Sequence, residues 1–277
     1  MNQRLQLPLD KDRRIWDLAM RFAGWCLVVA ILLLLACLAG HSVASAQSVL
    51  VPCYEASVAT QALRQTPKGK EGSVILIMNV ASGPWSKWDA GYGEAVKAAR
   101  ARGVRLAFYI DAMAGKDYSP VIYRNGDSYH AEPVALARDK TTLEIRNERS
   151  AWVSFYGAPN AWFIDDVRPR HTQLFAELAA WRDKIILNPG TGFVPPASLT
   201  TCIVVIHESE TGWPRTVSRW EAGHWGQCAV IGLSVNAASS VVFTQSTAGV
   251  ACRYASPLSD AQGAYNKLSP YFGGLFP

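Results

Sequence analysis

The 277-residue chain is short of several things that would point to common functions. It has no run of five or more Lys or Arg, and 27 basic against 22 acidic residues leave a net charge of only +5. Nucleic-acid binders concentrate basic charge on one face or stripe, so no nucleic-acid partner is expected. None of the six cysteines forms a C-x-x-C pair, which removes zinc ribbons and thioredoxin-like redox centres. His207 and His224 lack metal-ligand spacing, and neither a metal nor another cofactor is expected. The G-x-S-x-G elbow of serine hydrolases is missing. So is a G-x-G-x-x-G after the first strand-like run, which disfavours a dinucleotide-binding fold. With 21 Gly and 15 Pro, a collagen-like or low-complexity chain is excluded. No internal repeat and no interdomain linker are visible.

What the chain does have is an uneven distribution of hydrophobicity. Residues 22–40, FAGWCLVVAILLLLACLAG, carry no charge, follow Arg13, Arg14 and Arg21, and precede Ala44-Ser45-Ala46. A basic lead, an apolar stretch and an A-x-A site describe a secretory signal peptide. The same stretch is nearly long enough for an uncut membrane anchor, and Leu34-Leu35-Ala36-Cys37 resembles a lipobox. Each of these readings makes residues 1–46 a leader or anchor. Each sends residues 47–277 out of the cytoplasm, to the periplasm or beyond, with membrane association through residues 22–40 if the leader stays.

Residues 47–277 are expected to form one domain. Eight short apolar runs recur at 48–54, 73–80, 105–112, 161–167, 185–190, 202–208, 228–235 and 249–255. They are nearly continuous in hydrophobicity, as parallel strands buried on both faces are. Helical patterns occupy 88–103, 143–157, 170–183, 215–225 and 236–246, and the polar stretch 113–140 reads as a long loop with a hairpin at Asn125-Gly126. Eight strands alternating with helices predict an α/β fold, a (β/α)8 TIM-like barrel, with an open doubly wound sheet as the alternative.

Barrel enzymes carry their sites at the C-terminal ends of the strands. Those ends hold Tyr54, Asn79, Tyr109 with Asp111, Asp165 with Asp166, Asn188, His207 with Glu208, and Arg253 with Tyr254. Carboxylates, amides and phenols suit a sugar site, and Trp85, Trp88 and Tyr92 offer rings to cover a sugar face. Asp165, Asp166 and Glu208 are the candidate catalytic acids, because glycoside hydrolysis commonly uses two carboxyl groups. Adjacent strand residues face opposite ways, so both aspartates reach the site only if the chain is already turning at Asp166.

Seven motifs in order then resemble the spherulation-specific family 4 (spherulin 4-like) proteins of glycoside hydrolase family 135. They are Pro52-Cys53-Tyr54, Asn79-Val80-Ala81-Ser82-Gly83-Pro84, Gly103-Val104 leading to Tyr109, Phe163-Ile164-Asp165-Asp166, Asn188-Pro189-Gly190, Ile206-His207-Glu208 and Leu268-Ser269-Pro270-Tyr271. The resemblance covers residues 48–272. It implies a barrel that hydrolyses an exopolysaccharide containing N-acetylgalactosamine or galactosamine, of the kind found in biofilms. Asp165 and Glu208 would be the principal pair and Asp166 a supporting acid. Tyr54, Asn79, Tyr109 and Asn188 would orient the sugar, with Trp85 beside it. The chain departs from the pattern where Asp166 replaces a Glu, which shortens that side chain by one methylene. A non-catalytic, membrane-anchored carbohydrate-binding barrel is the alternative. No protein partner is implied, and a monomer is expected.

Four cysteines fall in the exported part. In a closed barrel the first strand neighbours the eighth and the sixth neighbours the seventh. That order favours disulfides Cys53–Cys252 and Cys202–Cys228, with four buried free thiols as the alternative.

Overall fold

The computed structural model describes residues 47–276, apart from 116–119, 182, 191–192, 211–212 and 214. The leader or anchor reading of residues 1–46 therefore lies outside the described residues. Among those residues, no helix is long and apolar enough to cross a membrane.

Among the described residues twelve strands run in chain order: β1 (Ser48–Cys53), β2 (Val74–Met78), β3 (Arg105–Asp111), β4 (Met113–Ala114), β5 (Val121–Asn125), β6 (Ser128–Glu132), β7 (Arg138–Asp139), β8 (Ala161–Asp165), β9 (Lys184–Asn188), β10 (Ile203–Ser209), β11 (Cys228–Gly232) and β12 (Cys252–Ala255). Eight of them close a barrel in the order β1-β2-β3-β8-β9-β10-β11-β12. Every barrel pair is parallel, and Ser48 opposite Cys252 shuts the ring. The fold is a (β/α)8 TIM-like barrel, and closure rules out the open sheet. All eight apolar runs became barrel strands, because only strands buried on both faces can be apolar at consecutive positions.

The helices are α1 (Ala56–Gln65), α2 (Ala90–Arg102), α3 (Thr142–Tyr156), α4 (Thr172–Ala180), α5 (Arg219–Gly223) and α6 (Ala237–Ser246). Helix α2 starts where the Asp89 side chain accepts from Tyr92 N–H, and it stops at left-handed Gly103. Helix α3 opens with a reciprocal Thr141–Glu144 capping box. Helix α1 was not anticipated. It has no side-chain cap, and its buried face is only Val58, Ala59, Ala62 and Leu63, so packing rather than propensity holds it. Helix α5 spans five residues rather than the expected 215–225, because a Ser218–Glu221 capping box starts it late.

The described residues of the polar stretch 113–140 form two strand pairs rather than a long loop. Strands β5 and β6 form the expected hairpin, with Asn125 paired to Ser128 and the turn at Gly126-Asp127, and β4 pairs with β7. Ile122 and Tyr129 of the hairpin pack with Ala151 of α3.

Outside the barrel, Phe108 stacks on Trp152 at 4.6 Å, and the Trp152 indole N–H donates to Tyr109 O at 2.7 Å. Outward and inward side chains alternate along a regular strand. Cross-strand register fixes which is which. Arg253 faces out, since its guanidinium donates to the carbonyls of Thr244 and Leu275. Its neighbours Cys252 and Tyr254 therefore face in. Carried round the ring by the register pairs, this places Tyr109, Asp111, Asp165 and Asn188 inside, all at the same end of the barrel.

The predicted disulfides are not formed: all four cysteines are buried and free. The strand neighbours were right, but the register defeats the pairing. Cys252 lies opposite Ser48, five residues before Cys53, an offset of about 16 Å along the strand, where a disulfide needs Cα atoms within about 7 Å. Cys228 is opposite Val204 rather than Cys202, and its Sγ is turned to the carbonyls of Glu221 and His224. Alkylation of the denatured protein without reductant should label residues 53, 202, 228 and 252 completely. A linked Cys202–Cys228 peptide would overturn this arrangement.

Candidate active site at the C-terminal mouth

Three adjacent strands supply the centre of the site. Asp165 ends β8 and Asn188 ends β9, directly opposite each other in register. Glu208 comes from β10, and a local irregularity brings it inward. Val205 pairs with Ala229, but the next register pair is His207 with Val230, which leaves Ile206 as an extra, bulged residue. Val205 and Glu208 then share the inner face although they are three residues apart. In a regular strand Glu208 would face the helices. The freed carbonyl of Ile206 accepts from the Arg215 guanidinium at 2.7 Å, and Arg215 is itself clamped by Glu221.

The side-chain amide of Asn188 joins the two acids. Its Nδ2 donates to Asp165 Oδ1 at 2.8 Å and also to Glu208 Oε2. Both amide hydrogens are thereby used. Asn188 holds the pair together instead of orienting a sugar, as the sequence suggested. The bridged oxygens cannot lie farther apart than two hydrogen bonds end to end, about 6 Å. Asp165 also accepts from the Tyr109 hydroxyl at 2.6 Å and from Asp166 N–H at 2.9 Å. Glu208 accepts from the Tyr265 hydroxyl.

Burial, then the charge of Glu208, hold the Asp165 carboxyl well above the usual range. Glu208 is raised too, chiefly by burial, against the opposing effect of its Tyr265 and Asn188 donors. Two close, partly buried carboxyls cannot both ionise cheaply, so the pair retains a proton where isolated carboxyls would have lost theirs. Tyr54, Tyr109 and Tyr265 are all pushed upward by burial, so they remain hydroxyl donors.

Asp166 answers the parity problem. It adopts a left-handed backbone, φ 52°, so the chain leaves strand geometry there and the two aspartates need not point oppositely. Its charge raises both Asp165 and Glu208. Such a backbone is tolerated by Asp better than by most residues.

The remaining candidates divide. Tyr54 joins the site, with its ring 6.3 Å from Tyr109 and 5.2 Å from Tyr265. Asn79 is buried, and its Oδ1 accepts from Gly83 N–H. It shapes the β2–α2 loop rather than facing a ligand through that oxygen. Trp85 is 39% exposed on that loop with φ 59°, an outlier for a bulky residue and a mark of strain at the mouth. Tyr92 is not a platform: it is buried, and its hydroxyl donates to the carbonyls of Cys53 and Asn79. Trp88, just ahead of the α2 N-cap, lies over Gly93 of that helix. His207 faces outward against Trp213, Arg253 is spent on carbonyls, and Tyr254 is fully buried.

Tyr265 was missed. The late motif drew attention to Tyr271, which packs at the core edge. The available signal was position, since the segment after the last barrel strand must cross the C-terminal mouth. Tyr265 O also accepts from Tyr54 N–H at 3.2 Å, tying that segment to the end of β1.

The chain matches no protein-family model and no curated protein. Among solved structures it is similar to a truncated form of 3-deoxy-D-arabino-heptulosonate 7-phosphate synthase from Thermotoga maritima, at TM-score 0.46 and 10% identity, covering 83% of each chain.

The raised carboxyls have a consequence for stability. At Asp165 and Glu208 the folded protein holds protons that the unfolded chain releases above about pH 4, so these two groups cost stability as pH rises from there toward their folded values. Glu208→Gln removes one such group, and the Tyr265 hydroxyl can accept from the new amide. Its melting temperature should exceed that of the wild type at pH 7, and the gap should close near pH 4. A lower melting temperature at pH 7 would contradict the assigned burial.

Proposed function

We propose that this chain is a glycoside hydrolase. The observation that carries the reading is the pair Asp165 and Glu208, bridged by one amide at the C-terminal mouth of the barrel. In such a pair the protonated carboxyl delivers its proton to the glycosidic oxygen. The ionised one attacks the anomeric carbon, and water then releases the glycosyl group with the first residue acting as base. The proton that the raised pair retains supplies one acid and one carboxylate at once. A separation bounded at about 6 Å fits the roughly 5–5.5 Å of retaining enzymes better than the 6.5–9.5 Å that leaves room for an inverting water.

The ordered motifs around these residues favour an exopolysaccharide containing N-acetylgalactosamine or galactosamine as substrate, and the leader-like residues 1–46 favour action outside the cytoplasm. Tyr54 and Trp85 offer aromatic surface for sugar rings. Asp166 acts by its charge on the pair. Despite the shorter side chain, that charge still reaches both acids from the left-handed backbone at Asp166.

Asp165→Asn and Glu208→Gln should each lower release of reducing ends from galactosamine-containing polymer by roughly 1,000-fold or more, as expected for an acid or nucleophile used in the transition state. Proton NMR of the first-formed product should show retained anomeric configuration. Wild-type binding with no cleavage of any such polymer would sink the hydrolase reading. Arg215→Met, remote from the sugar, should lower kcat by about tenfold or more by releasing the Ile206 bulge. Unchanged kcat would remove Arg215 from the account of how Glu208 is aimed.

A further inference from the structure

The opposite end of the barrel interior carries the opposite chemistry. Arg105 starts β3 and Lys184 starts β9, and both lie on the inward face by register with Ile75 and Ala161. With Ser48, Asn160, Ile186, Ile203 and Ala251 they line a cavity of about 80 Å³ at the N-terminal mouth. That is several times the space one water molecule needs, and comparable to one tetrahedral oxyanion. Among the described residues, no carboxylate lines it.

Arg105 is the informative residue. Its guanidinium donates to Ser48 Oγ, yet among the described residues it makes no ion pair, and its Nε is buried without a hydrogen-bond partner. Arg105 as a whole is half-buried, and an Arg taken even partly out of water normally has a counter-charge, because desolvating a charge is costly without one. Burial lowers its pKa, which is the signature of that cost. The cost is not offset by salt bridges of the kind that hold Arg138, Arg146, Arg149, Arg170 and Arg215 elsewhere. Lys184 adds a second cation, and the charges of both are felt by the Cys252 thiol behind the cavity. The Asn160 carbonyl oxygen is occupied by Leu106 N–H at 2.8 Å, which leaves its amide hydrogens as donors. Apolar walls of Ile75, Ile186 and Ile203 strengthen any charge interaction within.

We propose that this cavity is a binding site for a phosphate-class oxyanion, held by Arg105 and Lys184 with Asn160 as a neutral donor. The anion meets the terminal end of the guanidinium, whose planar donors suit an oxyanion. Two sources offer this chemistry. One is free phosphate or sulfate. The other is the headgroup of an anionic phospholipid, since Ser48, where the chain enters the domain, lines the same mouth.

The test uses the full chain at constant ionic strength. A ligand that binds only the folded state raises the melting temperature in a saturable way. Phosphate replacing chloride should do this for the wild type. Arg105→Met keeps the aliphatic stem and should weaken the phosphate response by about tenfold or more, as loss of a charged hydrogen bond would. Lys184→Gln changes an exposed side chain, does not threaten the fold, and should weaken it by a smaller factor. The source is read by sedimentation with phosphatidylglycerol or phosphatidylcholine vesicles. Binding only to phosphatidylglycerol, lost in both variants and competed by phosphate, assigns a headgroup. A phosphate response with no lipid preference assigns the free anion. Equal responses in wild type and both variants, or none in the wild type, would overturn the site. Arg105 and Asp111 are at opposite ends of β3, about 20 Å apart, so polymer cleavage should be unchanged in these variants whatever becomes of the proposed hydrolase activity.

Discussion

Two carboxyl groups buried side by side form the costly arrangement around which the rest of this barrel is organised. Asp165 and Glu208 stay together because neutral donors surround them: one asparagine amide between them, a tyrosine hydroxyl on each, and the Asp166 backbone N–H on Asp165. A lysine in place of Asn188 would neutralise the pair and lower both pKa values. The asparagine tethers them without doing so. The donors come from β3, β8, β9 and the segment after β12, so the geometry of the pair depends on closure of the whole ring.

The barrel interior is therefore polar at both ends and apolar in the middle. Acids and phenols fill the C-terminal mouth, while Arg105 and Lys184 stand at the N-terminal one. Between them lie Ile77, Ala107, Phe163, Val205, Ala229, Ile231 and Tyr254, all buried. This plug keeps water from running through the barrel and holds the two charged ends in separate environments. Each end can carry unfavourable burial because the packed layers, and the ring of helices outside them, supply the stability.

Much of this was legible in the sequence, for definite reasons. Eight apolar runs announce parallel strands because burial on both faces removes the usual polar alternation. Asp165, Glu208, Tyr109 and Tyr54 were legible as strand-end residues, since closure brings strand ends together. What was hidden depended on register and on irregular backbone. The cysteines misled because neighbouring strands do not place equal sequence positions at equal heights. Asn188 looked like a sugar ligand until its hydrogens were found spent. Tyr265 sits in a segment without periodicity, where only the path of the chain reveals its place. Helix α1 is capless and small-faced, so no local pattern marked it.

The bulge at Ile206 amounts to a frameshift in side-chain direction. Upstream of it β10 is read in one parity, downstream in the other, and the only acid on the strand lies downstream. Composition alone could not encode this, since a strand with the same residues and one fewer position would close the same barrel with Glu208 turned to the helices. The extra residue leaves a carbonyl outside the ladder, and Arg215 with Glu221 occupies it from outside the barrel. The site is thus set by a count of residues, and the ion pair on the far side of the wall keeps that count.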